Sequence, residues 1–167
     1  FTRRLPAPLR LLQTGSAYWQ SRLLLLAVEL DIASALHNNP ANLNELAQRC
    51  NCNPAYLQRL MNYLMAHHIF KQNKQQQYSN NKASNYLNRH WPEHVRDLIL
   101  LHQSPAMVNA WHQGLPQSFQ HGIPAFEIAN GKGLYDYIRS DTNSNALFNR
   151  AMTSVNALAG DFYARDF

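Results

Sequence analysis

Apolar residues recur at helical spacing along most of this chain, and polar breaks between them mark the ends of elements. The cleanest stripe is Leu57, Leu60, Met61, Leu64 and Met65, which share one helical face. Asn53 stands just before it as an N-cap, with Pro54 at the first helical position. A shorter helix, Leu43–Arg49, precedes it, and Asn42 with Glu45 three residues on forms a capping-box pair. After the stripe come Ile69–Phe70, a polar tip at Asn73–Gln76, and Tyr78–Ser79. That pattern predicts two short strands joined by a turn. Helix, turn, helix and a two-stranded wing is the order of a winged helix-turn-helix. Asn80–Ser84 reads as its exit loop.

The flanking regions are predicted to be helical too. Leu9–Gln13 and Ser16–Ala35 read as helices separated near Gly15. In the second, Leu23, Leu26, Ala27, Leu30, Ile32 and Leu36 spread too widely for a simple amphipathic face. Such a helix is buried in a core or against another chain. Downstream, Pro92 is expected to start a helix carrying Val95, Leu98, Ile99 and Leu101. Ser104–Pro105 starts another with Val108, Trp111 and Leu115. Pro116–Pro124 reads as a loop, Gly131–Gly133 as a tight turn, and Leu134–Arg139 as a short helix. Asp141 or Thr142 then caps a long helix in which Phe148, Met152, Val155 and Ala159 align. The expected fold class is mainly α, a helical dimerisation region around a winged helix-turn-helix with a short β-hairpin wing. Its parts are N-terminal helices over 1–36, the winged-helix-like segment over 37–90 and a helical region over 91–167.

Composition narrows the function. The 167 residues are 46% hydrophobic and 15% charged, with net charge +5, and Asn and Gln supply much of the polar surface. This is a folded domain's composition, not a disordered one's. The basic residues are scattered, which disfavours nucleic acid as a partner despite the positive sign. Gln58, Arg59 and Asn62, on the polar face of the Pro54 helix, are nevertheless types that read base edges. A winged-helix DNA-binding regulator is therefore the alternative reading.

Other chemistry is thinly represented. None of the six glycines builds a G-x-G-x-x-G or G-x-x-x-x-G-K-[ST] loop, so a nucleotide cradle is not encoded here. Cys50 and Cys52 are too close in sequence for an ordinary disulfide and lack a second pair for zinc. They read as free thiols. His90, Glu93 and His94 have an H-x-x-E-H spacing, but Pro92 keeps both histidines off one helical face. No metal is expected. The apolar run Leu23–Val28 is far shorter than the roughly 20 residues of a membrane span. Arg3, Arg4 and Arg10 before it faintly suggest a leader, but no small-residue cleavage site follows. The chain begins at Phe1 and reads as a processed or trimmed piece.

The order of pieces resembles the N-terminal half of the S-adenosylmethionine-dependent O-methyltransferases of the caffeate and acetylserotonin type. Gly15, Ser21 and the run Leu25–Leu36 are similar to the family's opening, with Asp31 where a Gly is usual. Leu43–Ala47, Leu57–Leu64, His68–Phe70 and Tyr78 are similar to its next segments. The most specific block is Trp111, Leu115, Gly122, Phe126, Gly133–Tyr137 and Phe148–Met152. The resemblance implies a cytoplasmic homodimer whose winged helix does not bind DNA. It implies apolar walls for a small aromatic hydroxyl acceptor at Leu101, His102, Met107, Trp111, Tyr135, Phe148 and Met152. His102 stands where some plant members have Asn. The family's Gly-rich S-adenosylmethionine loop and catalytic His would come after Phe167. The expectation is that this chain alone binds no cofactor, holds no catalytic residue and transfers no methyl group, while the parent protein does.

Overall fold

The computed structural model describes residues 6–165, with side chains up to Gly160. Arg3, Arg4 and the terminal Asp166–Phe167 lie outside the described residues. The fold is mainly helical with one small antiparallel sheet.

The core forms where the sequence pattern is cleanest. Helix α3 (Leu43–Arg49) carries the expected capping box, with Asn42 Oδ1 accepting from Glu45 N and Glu45 Oε2 accepting from Asn42 N. Helix α4 (Pro54–Ala66) is capped by Asn53, whose Oδ1 accepts from Ala55 N and Tyr56 N. Of the α4 stripe, Leu57, Leu60, Met61 and Leu64 are buried, and Met65 is half-buried. Strands β1 (Phe70–Gln72) and β2 (Tyr78–Asn80) pair antiparallel, with Lys71 opposite Ser79. Ala41 bridges to Tyr78 on the outer side of β2. Phe70 and Tyr78 turn inward onto the same core. The expected exit loop instead holds a short helix, α5 (Lys82–Asn85), because Asn81 and Ser84 make a reciprocal cap of their own.

The N-terminal region departs from expectation. Helix α1 (Ala7–Glu29) runs straight through Gly15, and no break occurs there. A helix interior tolerates a single Gly at a cost of about 1 kcal/mol. The break comes at Asp31, with φ of 55°, before α2 (Ile32–Ala35). Here stands the residue that replaces the family's usual Gly. Short polar residues are the ones that enter the left-handed region most readily after Gly. Ser34 Oγ donates to Asp31 Oδ1 at 2.7 Å, and Arg89 forms an ion pair with the same carboxylate.

Beyond Asn85 the chain is a succession of short helices closed by one long one. Helix α6 (Arg96–His102) begins later than Pro92, which lies in the preceding turns. Helix α7 (Pro105–Asn109) passes into a π-helical turn, Ala110–Gly114, and then into α8 (Leu115–His121). The expected Pro116–Pro124 loop is thus mostly helix. Pro116 follows directly on the π turn, where the regular α-helical hydrogen-bond ladder is already interrupted, and Gly122 ends α8 with φ of 70°. Helix α9 (Ala125–Asn130), also unforeseen, ends at Gly131 and is tied to α7 by Asn130 Nδ2 donating to Ala106 O. Helices α10 (Leu134–Ser140) and α11 (Thr142–Arg165) follow as expected. Asp141 accepts from Ser144 N at 2.7 Å, and its hydrogen bonds with Ser144 hold its carboxyl below the usual range. Helix α11 lies along α6.

Candidate functional site

The seven expected wall residues fall on α6, α7, the π turn, α10 and α11. Tyr135 and Phe148 meet edge to face, with ring centroids 6.4 Å apart. Aromatic pairs favour that geometry and gain about 0.5–1.5 kcal/mol beyond their area. Met152 lies one turn beyond Phe148 on α11, and both are half-buried. Leu101 is buried near the end of α6, on the element that packs along α11. His102, the next residue, points to the exposed side. Met107 is half-buried on α7, while Trp111 on the π turn is 62% exposed and Tyr135 is 65% exposed. Large aromatic faces left in water at this level are unusual for an isolated core and suit a surface that something else covers.

This group contains no nucleophile and no acid–base pair. Its chemistry is shape and apolar contact, with His102 the one titratable side chain among non-phenolic members. Among the described residues no cluster of three or more His, Cys, Asp or Glu is placed to hold a metal. The His90 and His94 spacing dissolves into turns, and the His90 ring lies 5.3 Å from that of His37. The described sheet is a two-stranded hairpin with no parallel crossover, and Gly122 and Gly131 close helices.

A second feature was legible only in part. Leu23 and Leu26 of α1, with Leu30 just beyond its end, face Cys52, Tyr56, Leu57, Leu60 and Tyr63 across an apolar hollow of about 400 Å³. Leu26 is 39% exposed and Tyr56 is 71% exposed. Further toward the N-terminus, Leu9, Leu11, Leu12, Tyr18 and Trp19 are all about half exposed or more. The excessive apolar breadth of this helix was the sequence signal. It could not say whether core or partner covers the excess. None of the seven expected wall residues borders this hollow.

The thiols are free, and burial pushes Cys50 up to about 11 and raises Cys52 as well. Gln58, Arg59 and Asn62 are exposed on α4, and the Arg59 guanidinium lies over the Tyr56 ring at 5.4 Å.

Residues 12–89, from Leu12 of α1 to the arginine paired with Asp31, match the O-methyltransferase dimerisation domain family. Residues 12–89 are an O-methyltransferase dimerisation domain. The match spans both walls of the α1–α4 hollow. The chain is 31% identical over 147 residues to the 3-O-methylredipecamine 2-O-methyltransferase of Carapichea ipecacuanha, covering 84% of this chain and 40% of that protein. It is 27% identical over 152 residues to the phenazine-1-carboxylate N-methyltransferase of Pseudomonas aeruginosa, covering 91% of this chain and 45% of that one. The structure of the pyocyanin biosynthetic protein PhzM superposes with a TM-score of 0.81 at 26% identity, over 90% of this chain and 44% of that chain. The dimerisation domain and the helices that follow it here thus span less than half the length of these relatives.

Proposed function

We propose that this chain is the dimerisation and acceptor-wall part of an S-adenosylmethionine-dependent O-methyltransferase acting on a small aromatic hydroxyl compound. The observation that carries the reading is the dimerisation-domain match over residues 12–89. It is supported by relatives named as methyltransferases, aligned over most of this chain. In this reading the helix-turn-helix and hairpin form a winged helix used for assembly, and two copies associate through the apolar face of α1. A cytoplasmic location belongs to the same proposal.

Leu101, His102, Met107, Trp111, Tyr135, Phe148 and Met152 then contribute by positioning. Flat apolar walls hold an aromatic acceptor so that its hydroxyl is aligned for transfer. Good alignment of reacting groups lowers a barrier without any chemistry from the wall itself. S-adenosylmethionine supplies the methyl group, and its site and the catalytic base belong to the part of the relatives' length that this chain does not span.

Methyl transfer from S-adenosylmethionine to a panel of phenols, measured on the full-length protein, tests this. Phe148→Ala and Met152→Ala should each raise the acceptor KM by about tenfold, as expected when a buried aromatic or thioether contact is lost, with S-adenosylmethionine affinity unchanged. Wild-type acceptor kinetics in both variants would remove the acceptor walls from this region. A DNA titration separates the regulator reading. Affinity that falls steeply with salt, as phosphate neutralisation demands, would overturn the proposal.

A further inference from the structure

Three arginines from three separate parts of the chain line one polar hollow. Arg89 follows α5, Arg96 opens α6 and Arg150 lies on α11. With His94 and Asp97 they enclose about 310 Å³. A smaller space of about 160 Å³ shares His94, Asp97 and Arg150 with it and reaches Thr153 and Ser154.

The charges in this hollow do not cancel. Asp31 pairs with Arg89, and its other oxygen lies 3.5 Å from Arg96 Nε. Asp97, almost wholly buried, pairs with Arg150 Nε at 3.3 Å. Among the described residues no other carboxylate lies within salt-bridge distance of the three guanidiniums. Three cations therefore face two anions. Each guanidinium carries five N–H donors in a rigid fork. Beyond the carboxylates, the acceptor recorded for them is the Val28 carbonyl, 3.4 Å from Arg96. His94 Nδ1 is buried without a hydrogen-bond partner, and buried Arg96 Nε, though ion-paired with Asp31 at 3.5 Å, makes no hydrogen bond to it. The Arg89 and Arg150 side chains remain 54% and 57% exposed, so their free donors are accessible.

Three guanidiniums lining one partly buried hollow repel one another, and the two aspartates offset only part of that charge. Arginine forks bind phosphate and carboxylate through paired, charge-assisted hydrogen bonds. A carboxylate has two oxygens and suits one or two forks. Forks arriving from three elements suit an anion with more acceptor oxygens. The two aspartates also fix the guanidinium orientations in advance, which lowers the ordering cost of binding.

We propose that this hollow binds a phosphate-type oxyanion, either the free ion or the phosphate group of a small metabolite. The site is distinct from the acceptor walls. At about 100° per residue, Arg150 projects from the side of α11 opposite both Phe148 and Met152. The inference does not depend on the methyltransferase reading.

Calorimetric titration of the full chain with inorganic phosphate, at constant ionic strength, tests it. Sodium chloride and acetate serve as comparison titrants. The expected result is saturable phosphate binding that neither chloride nor acetate reproduces. Arg89→Gln, at a half-exposed position whose loss leaves Asp31 paired with Arg96, should weaken it about tenfold, the usual size of a lost charged hydrogen bond. Arg150→Lys keeps a cation beside Asp97 but loses the fork, and should also weaken it several-fold. Circular dichroism of both variants checks that the helices persist. Equal heats for phosphate and chloride, or wild-type phosphate affinity in both folded variants, would overturn the proposal. Glycerol phosphate binding tighter than inorganic phosphate assigns the site to an organic phosphate, and the reverse order assigns it to the free ion.

Discussion

At Asp31 the chain turns out of α1 with φ of 55°, and the side chain there does more than tolerate the turn. It accepts from Ser34 and pairs with Arg89 and Arg96. A glycine would relax the backbone but supply none of these contacts. Asp31→Asn keeps the tolerance for positive φ and removes the charge, leaving the largely buried Arg96 without its partner. It should lower stability by about 1–3 kcal/mol, the usual range for a lost charged hydrogen bond, measured by urea unfolding. An unchanged midpoint would mean that the ion pairs contribute nothing. Cys50 gives a pH prediction at the same scale. Its thiol rises from 9.0 to about 11 through burial, so the folded state holds its proton more tightly than the unfolded state. That contribution is fully present below pH 9 and is lost as pH climbs through 11. Each pKa unit corresponds to about 1.4 kcal/mol, which puts the full loss at no more than about 3 kcal/mol. Unfolding midpoints at pH 8 and pH 10.5 should diverge in the wild type and diverge less in Cys50→Ala.

Between elements, the helices that sequence reading turned into a loop are held by close backbone contact. Gly114, last residue of the π turn, packs against α9 so tightly that a Cβ would lie 2.0 Å from the Ala125 carbonyl oxygen. Gly114→Ala must push α9 away, and overpacking of this kind costs about 1–3 kcal/mol. A fall of several degrees in the thermal midpoint by circular dichroism is expected. Gly15→Ala, in open space on a straight helix, should instead hold or raise the midpoint. The contrast explains why these elements differed in legibility. Caps at Asn42 and Asn53 act within four residues, so their side chains announce the helices locally. Pro116 is ambiguous by itself, because the same residue breaks a helix interior and suits a first turn. The preceding π turn and the α9 contact decide which role it takes, and neither is written in the local sequence.

For the whole molecule, the apolar surface of α1 and the hollow beside α4 lie within the matched dimerisation domain. Burying Leu26 and Tyr56 in a second subunit would place a stripe of exposed apolar area out of water, at about 25 cal/mol per Å². Leu26→Glu should therefore shift the full chain from dimer to monomer by light scattering at micromolar concentration, with its helical content retained. A wild-type chain that is already monomeric there would rule out this face as a stable interface.

By itself the sequence determined the core around α3, α4 and the hairpin. Its stripe, caps and turn residues are local signals, and the burial of Met61, Leu64, Phe70 and Tyr78 follows from them. It also showed that α1 is too apolar to stand alone, and through family resemblance it pointed to the dimerisation region. Tertiary structure decided where α1 breaks, how Pro116 is used, and that Tyr135 meets Phe148 while Trp111 stays in water. It alone gathered Arg89, Arg96 and Arg150, more than sixty residues apart at the extremes, around one hollow. The physical reason is range. Helix periodicity and capping act over a few residues, whereas charge clusters and close backbone approaches arise only when distant elements pack.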